Sequence, residues 1–202
     1  MITQLAGFPD PVHDAQVTFR SLLNALAHPG QVFPISPALE PPPGMTVACA
    51  AACLTLMDMD TQVWVQTGGD RAVLDWLRFH TGCRITTQPQ GADFALVWDG
   101  MQVPDLAGFR WGTDEYPEQS TTLLVQVAGW DQGVEVQLRG AGILEKRAIA
   151  PPLSSQFWHH WQQMTPQYPL GVDVFLLAQT TVMGLPRTSV AEVLEMAQGA
   201  HI

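Results

Sequence analysis

Five polar side chains of this sequence lie beside apolar segments and could hold a ligand. Guanidinium groups in particular bind phosphate-like oxyanions through paired hydrogen bonds. The same residue types also form structural ties, and a histidine in the last turn of a helix is favoured by the helix dipole alone. Both interpretations stay open for these five residues, which are Arg20, His80, Glu118, Asp173 and Arg187.

Asp173 interrupts an almost continuous apolar run, Val172 to Ala178, of the kind found in a central strand that is buried on both faces. An ionised carboxylate in such a strand needs a partner, because burying it alone is costly. Arg187 comes just after the next apolar segment, 182–185. We therefore expect an Asp173–Arg187 pair near the centre of the fold. The sequence shows no nucleophile–base pair of the kind that catalysis needs.

Metal and covalent chemistry have weaker support. Cys49 and Cys53 would share one helix face, with His80 and Cys83 as further ligands, but zinc sites usually have closer cysteine pairs. Cysteine in an apolar helix is more typical of a core position. Lys146, the single lysine, lies in a charged loop, which argues against a Schiff base and pyridoxal-phosphate chemistry. Phosphate-binding glycine loops and a nucleophile elbow are absent from the sequence.

The composition limits the class of protein. A length of 202 residues suits one domain, and 47% hydrophobic with only 14% charged residues suits a large core or a surface covered by another subunit. The net charge of -10 argues against nucleic acid and anionic membranes as partners. Three cysteines, no leader-like start and no apolar run near ~18 residues lead us to expect a cytoplasmic protein.

Hydrophobic periodicity alternates between helical and strand patterns, which predicts an α/β fold with a mixed sheet and helices on both faces. Helices are expected after the N-cap residues Asp14 and Asp70, over 46–57 and over 154–164. Strands are expected at 32–35, 62–66, 84–87, 93–98 and 172–178. Segments 121–127 and 134–138 are predicted to form a hairpin that bends at 131–133. The tail, 190–197, fits either helix or strand.

A set of motifs is spread over nearly the whole chain. Its members are Asp14-Ala15-Gln16, Phe19-Arg20-Ser21-Leu22-Leu23, Pro29-Gly30, Leu77-Arg78-Phe79-His80-Thr81, Pro117-Glu118, Thr121-Thr122-Leu123, Leu138-x-Gly140-Ala141-Gly142-Ile143, Ala150-Pro151, Pro169-Leu170-Gly171-Val172-Asp173 and Leu185-Pro186-Arg187-Thr188. Taken together, the set resembles the H subunit family of the bacterial carbon–phosphorus lyase system, PhnH. The chain departs from the family pattern at Gln119–Ser120, where Gly or Ala is common, and matches it poorly beyond Thr188.

The resemblance implies a three-layer α/β/α fold, similar to a reduced pyridoxal-phosphate transferase fold without the cofactor. It also implies a homodimer that binds the G subunit and joins the I and J subunits in a core complex. That complex helps to couple an alkylphosphonate to the ribose of a nucleoside triphosphate. The family provides no catalytic residue that can be carried over to this chain.

Two hypotheses follow. In the first, the chain is a non-catalytic assembly subunit without cofactor or metal, and Asp173 and Arg187 order its core. In the second, Arg20, His80 and Arg187 contribute an oxyanion site to the transferase reaction. Arg187 sealed against Asp173 would weaken the second hypothesis.

Overall fold

The structure, a computed structural model, describes residues 6–35, 37–67 and 71–194. Four α-helices and ten β-strands form its regular elements. The helices are α1 (Pro11–Ala27), α2 (Val47–Leu56), α3 (Arg71–Thr81) and α4 (Ser155–Met164). The strands are β1 (Val32–Pro34), β2 (Gln62–Val65), β3 (Arg84–Thr86), β4 (Phe94–Val97), β5 (Thr122–Gln126), β6 (Val136–Arg139), β7 (Arg147–Ile149), β8 (Asp173–Ala178), β9 (Thr181–Leu185) and β10 (Val190–Val193).

Seven strands form one mixed sheet in the order β1-β9-β8-β5-β4-β2-β3. Strands β3, β2, β4, β5 and β8 run parallel, and β9 and β1 follow in antiparallel pairing. The remaining strands form a separate antiparallel sheet in the order β10-β6-β7. The α/β class and the mixed sheet are thus confirmed, and β8 is an interior strand of that sheet, with β5 and β9 as its neighbours.

Alternate residues of the interior strands enter two separate apolar clusters. Leu124 of β5 and Phe175 of β8 pack with residues of α1, α2 and α3 on one face of the sheet. Leu123 of β5 and Val174 of β8 pack on the other face, with α4 and the small sheet. Both faces of the strands are therefore covered, which explains why β5 and β8 are nearly continuous apolar runs.

The predicted hairpin between 121–127 and 134–138 is wrong. Strand β5 pairs in parallel with β4 and β8, whereas β6 pairs with β7 and β10 in the small sheet. The turn residues 131–133 do connect the two segments, but the connection crosses from one sheet to the other. Burial on both faces of β5 provides more stabilisation than an exposed two-stranded ribbon would.

The first helix begins earlier than predicted. Its N-cap is Asp10, whose carboxylate accepts the backbone N–H of His13 at 3.1 Å, and Pro11 occupies the first helical position. Proline is favoured there because the missing N–H would have had no helical partner. Asp14 instead accepts the backbone N–H of Asp10 at 3.1 Å, so both carboxylates accept backbone N–H groups at the start of the helix. Asp70, the other predicted N-cap, lies outside the described residues.

The other helices begin and end near their predicted limits. Thr46 caps α2, Ser154 caps α4, and Gly82 follows α3 with a positive φ of 71°, the conformation that glycine adopts readily at a helix C-terminus. The start of α2 is also bound to the sheet, because buried Gln126 accepts the N–H of Thr46 at 2.6 Å and donates to the Gly44 carbonyl at 2.9 Å. Each helix in the described part of the chain is too short or too polar to cross a membrane.

Candidate functional site

Asp173 and Arg187 form the centre of the candidate site. Asp173 is the first residue of β8, and Arg187 follows β9, the antiparallel neighbour of β8. Arg187 Nη2 lies 2.6 Å from Asp173 Oδ2, and Nε lies 3.2 Å from the same oxygen. The side chain of Arg187 is only 12% exposed and that of Asp173 is 22% exposed. The predicted pair is therefore present, and it is largely withdrawn from water.

The remaining donors of the Arg187 side chain reach two loops. Nη1 donates to the carbonyl oxygen of Pro117 at 2.8 Å and to that of Pro169 at 3.3 Å. Nη2 also donates to the hydroxyl of Ser120, which is itself buried. All three side-chain nitrogens of Arg187 are thus used within the protein. The guanidinium group ties strand β9 to loop 112–120 and to the segment before β8.

A shallow depression of about 300 Å³ lies over this pair. Glu118 and Tyr168 contribute exposed side chains to its wall, and Thr188 is half-buried there. Asp173 and Arg187 form the charged part of the wall, where the guanidinium is already neutralised by the carboxylate. The depression therefore presents net negative charge, because Glu118 adds a second carboxylate.

The structure brings together only three of the five predicted residues. Glu118, Asp173 and Arg187 share the depression, whereas Arg20 is exposed on α1. His80 is the penultimate residue of α3 and packs in the aromatic surroundings of Trp76, at a ring-centroid distance of 4.8 Å. Helices α1 and α3 cover one face of the sheet, while Asp173 and Arg187 lie at strand ends.

His80 also supports the chain segment before α1. A Cβ atom added at Gly7 would lie 3.0 Å from His80 Nδ1, so the backbone passes directly over the imidazole ring. A side chain at this position would require the imidazole ring to shift by a few tenths of an ångström. His80 therefore packs between Trp76 and the chain segment before α1.

The cysteines are core residues. Cys49, Cys53 and Cys83 are free thiols, all buried in the cluster beneath α1, α2 and α3. Burial raises the pKa of Cys53 well above its ordinary value, with a further contribution from a hydrogen bond to Cys49, and burial also raises the pKa of Cys83. No group of three or more His, Cys, Asp or Glu side chains within 6–35, 37–67 and 71–194 is arranged to hold a metal ion. Lys146 is exposed.

The sequence missed two kinds of contact at this site. In the sequence Ser120 stands out only as a departure from the family pattern, yet its hydroxyl accepts a hydrogen bond from Arg187. The carbonyl groups of Pro117 and Pro169 could not be identified from residue types, because every residue has a carbonyl. The one available signal was a repeated dipeptide, Tyr-Pro, at 116–117 and 168–169.

Comparison with known proteins assigns the chain to a family. Residues 6–192 match the family described as Bacterial phosphonate metabolism protein (PhnH). The chain belongs to the PhnH family. This agrees with the resemblance found in the sequence motifs, and the matched range includes Glu118, Asp173 and Arg187.

Two relatives of this PhnH family chain have descriptive names. The chain is 38% identical over 188 residues to the Alpha-D-ribose 1-methylphosphonate 5-triphosphate synthase subunit PhnH of Rhizobium meliloti (strain 1021), covering 92% of this chain and 94% of that protein. It is 28% identical over 176 residues to the Putative C-P lyase subunit protein HtxG of Stutzerimonas stutzeri, covering 86% and 84%. Both names describe a subunit of a larger assembly.

Proposed function

We propose that this chain is the H subunit of a carbon–phosphorus lyase core complex, required for the catabolism of organic phosphonates. In that complex an alkylphosphonate is coupled to the ribose of a nucleoside triphosphate. The chain itself has an assembly role and no catalytic residue of its own. The names of the two relatives support this proposal, since one is a subunit of a synthase of a ribose methylphosphonate triphosphate and the other a C–P lyase subunit.

The assembly role is supported by the hydrogen bonds of Arg187, because all three of its side-chain nitrogens donate to groups within the protein. An oxyanion could bind its guanidinium only after Asp173, Ser120 and two carbonyl groups had released it. Breaking a largely buried ion pair and leaving the carboxylate without a partner is costly. Arg187 therefore stabilises the local structure. Arg20 and His80 lie elsewhere on the fold.

For the fold, we propose a single domain over residues 1–202 in three layers, related to pyridoxal-phosphate transferases but without their cofactor. The two apolar clusters on opposite faces of the sheet support three layers. The exposed position of Lys146 argues against covalent pyridoxal-phosphate binding, because a Schiff-base lysine works in a pocket that lowers its pKa. The three free thiols suit a reducing compartment, which we take to be the cytoplasm.

For the partners, we propose a homodimer that binds the G subunit directly and joins the I and J subunits in the core complex. Helix α1 supports contacts of this kind. Val12, Phe19 and Leu23 are 83%, 51% and 55% exposed, and their spacing puts them on one stripe of the helix, apart from the buried Leu22. Exposed apolar stripes of this type are common where subunits meet.

The experiment is size-exclusion chromatography with light scattering, on the chain alone and after co-expression with the G, I and J subunits from the same source. Co-elution in one large species is expected, and the chain alone should not consume nucleoside triphosphate in the presence of methylphosphonate. A chain that elutes apart from all three subunits, or that turns over these substrates unaided, contradicts the assembly role.

A further inference from the structure

We infer that the two tyrosines next to the Arg187 contacts form a docking surface for a basic segment of another subunit. The surface consists of Tyr116, Glu118, Tyr168 and the depression between Pro117 and Pro169, and we call it the tyrosine surface. This inference rests on the proposed assembly role and adds to it the place and the chemistry of one contact.

Arg187 organises the backbone of this surface. A single nitrogen, Nη1, donates to the carbonyl groups of both Pro117 and Pro169. Each of these prolines follows a tyrosine, and Tyr116 and Tyr168 are the only two tyrosines of the chain. The buried ion pair therefore fixes both Tyr-Pro dipeptides relative to each other.

Both tyrosine side chains are available for contact. Tyr116 and Tyr168 are 51% and 61% exposed, although their backbone is held in place. The N–H of Tyr116 donates to the Thr113 carbonyl at 3.1 Å, and the N–H of Tyr168 donates to the Thr165 carbonyl at 3.2 Å. Aromatic rings on a fixed backbone lose little conformational entropy on binding, and tyrosine is enriched among the residues that dominate binding energy.

The segment around Pro117 is acidic. Asp114, Glu115 and Glu118 are all exposed, and none of them takes part in an ion pair within the described part of the chain. The two cations of the neighbouring segments, Arg110 and Arg187, are each already paired with an aspartate. Glu118 therefore gives the tyrosine surface an uncompensated negative charge, and Asp114 and Glu115 add two more on the same loop. Such charges repel nucleotides and other anions and attract cations.

These features together specify the occupant. An arginine or lysine side chain of a partner can enter the depression of about 300 Å³, approach the carboxylate of Glu118 and pack against the face of a tyrosine ring. A guanidinium group satisfies both requirements at once, since it pairs with carboxylates and stacks on aromatic rings. The expected partner is a loop or helix of another complex subunit that carries such a residue.

The test measures binding of variants of the full chain to the co-expressed complex of the G, I and J subunits. The double variant Tyr116→Ala, Tyr168→Ala and the charge reversal Glu118→Lys should each raise the Kd by at least about tenfold. Glu118→Lys should also flatten the dependence of binding on salt. The control is Phe79→Ala, which removes a ring that is 59% exposed on α3, and it should bind like the wild type.

The outcomes separate the two proposals. If the wild type binds the complex and both surface variants bind equally well with an unchanged salt dependence, the docking inference is wrong and the assembly role stands. If the wild type does not bind, both fail. If the variants bind the complex normally but no longer self-associate, the occupant is a second copy of the chain, which also overturns the inference. Far-ultraviolet circular dichroism and unfolding midpoints of all variants establish that they fold.

Discussion

The carboxylate of Asp173 binds both the main chain and the side chain of Arg187. Asp173 Oδ1 accepts the backbone N–H of Arg187 at 2.8 Å, while Oδ2 accepts from the guanidinium at 2.6 Å. One carboxylate therefore fixes where the chain leaves β9 and also where the Arg187 side chain points. The two loops that meet the guanidinium depend on this pair for their position.

Replacing Asp173 with alanine should destabilise the fold by roughly 3–5 kcal/mol, because the guanidinium would remain largely buried without its counter-ion. Urea unfolding followed by tryptophan fluorescence measures this difference. The matched control is Glu192→Ala, which removes the partner of Arg139 in an ion pair whose side chains are about half exposed. That variant should lose no more than about 1 kcal/mol. Equal effects of the two changes would contradict a structural role for Asp173.

Ser120→Ala should cost about 1–3 kcal/mol, since it removes an acceptor from a largely buried charged donor. Ser155→Ala, at the exposed first residue of α4, is a suitable control and should change the unfolding free energy little. If Ser120→Ala is as stable as the wild type, another group must satisfy the guanidinium.

Gly142→Ala should be much more destabilising than Gly44→Ala, although both glycines have a positive φ, of 81° and 86° respectively. An added Cβ at Gly142 would lie 2.1 Å from the carbonyl oxygen of Ala27 at the end of α1, whereas nothing lies within 4 Å of one at Gly44. Gly44→Ala should cost about 1–2 kcal/mol from backbone strain alone, and the steric clash should add about 1–3 kcal/mol at Gly142. Thermal unfolding of both variants checks the difference, and similar losses would contradict the close packing at Ala27.

Because two of its buried thiols have raised pKa values, the folded protein should become less stable at alkaline pH. The folded protein keeps the protons of Cys53 and Cys83 to a higher pH than the unfolded chain does, because burial raises both pKa values. This contribution is complete below the unfolded thiol pKa of about 8.5 and is lost as the pH rises further. Urea unfolding measured between about pH 7 and about pH 9.5 tests this. The urea concentration at the unfolding midpoint should decrease once the pH exceeds about 8.5, the pKa of an unfolded thiol. The fall should be smaller in Cys53→Ala, and an identical fall in that variant would contradict the assignment.

The sequence predicted the helices well because each has a local signal. Thr46 and Ser154 cap helices whose apolar residues follow at helical spacing, and Gly82 ends another. The start of α1 differs from the prediction because Pro11 occupies the first helical position, which makes Asp10 rather than Asp14 the N-cap. This signal was present in the sequence and favours the observed start.

The pairing of the strands was less predictable, because it depends on segments that are far apart in the chain. Segment 122–126 resembled one arm of a hairpin, yet its neighbours in the sheet are 94–97 and 173–178. Its continuous apolar character already indicated an interior strand with two covered faces. The Asp173–Arg187 pair was predictable from the cost of burying a lone carboxylate, whereas the carbonyl partners of Arg187 were not, since their role depends on loop geometry.

The edges of the large sheet determine how this protein can join others. One edge strand, Val32–Pro34, includes a proline, which has no N–H to offer to an added strand, and the opposite edge strand, Arg84–Thr86, is only three residues long. Growth of the sheet by strand addition is therefore disfavoured at both ends. Association through backbone hydrogen bonds at the ends of the large sheet is therefore disfavoured, which leaves recognition of other chains at these ends to side-chain surfaces.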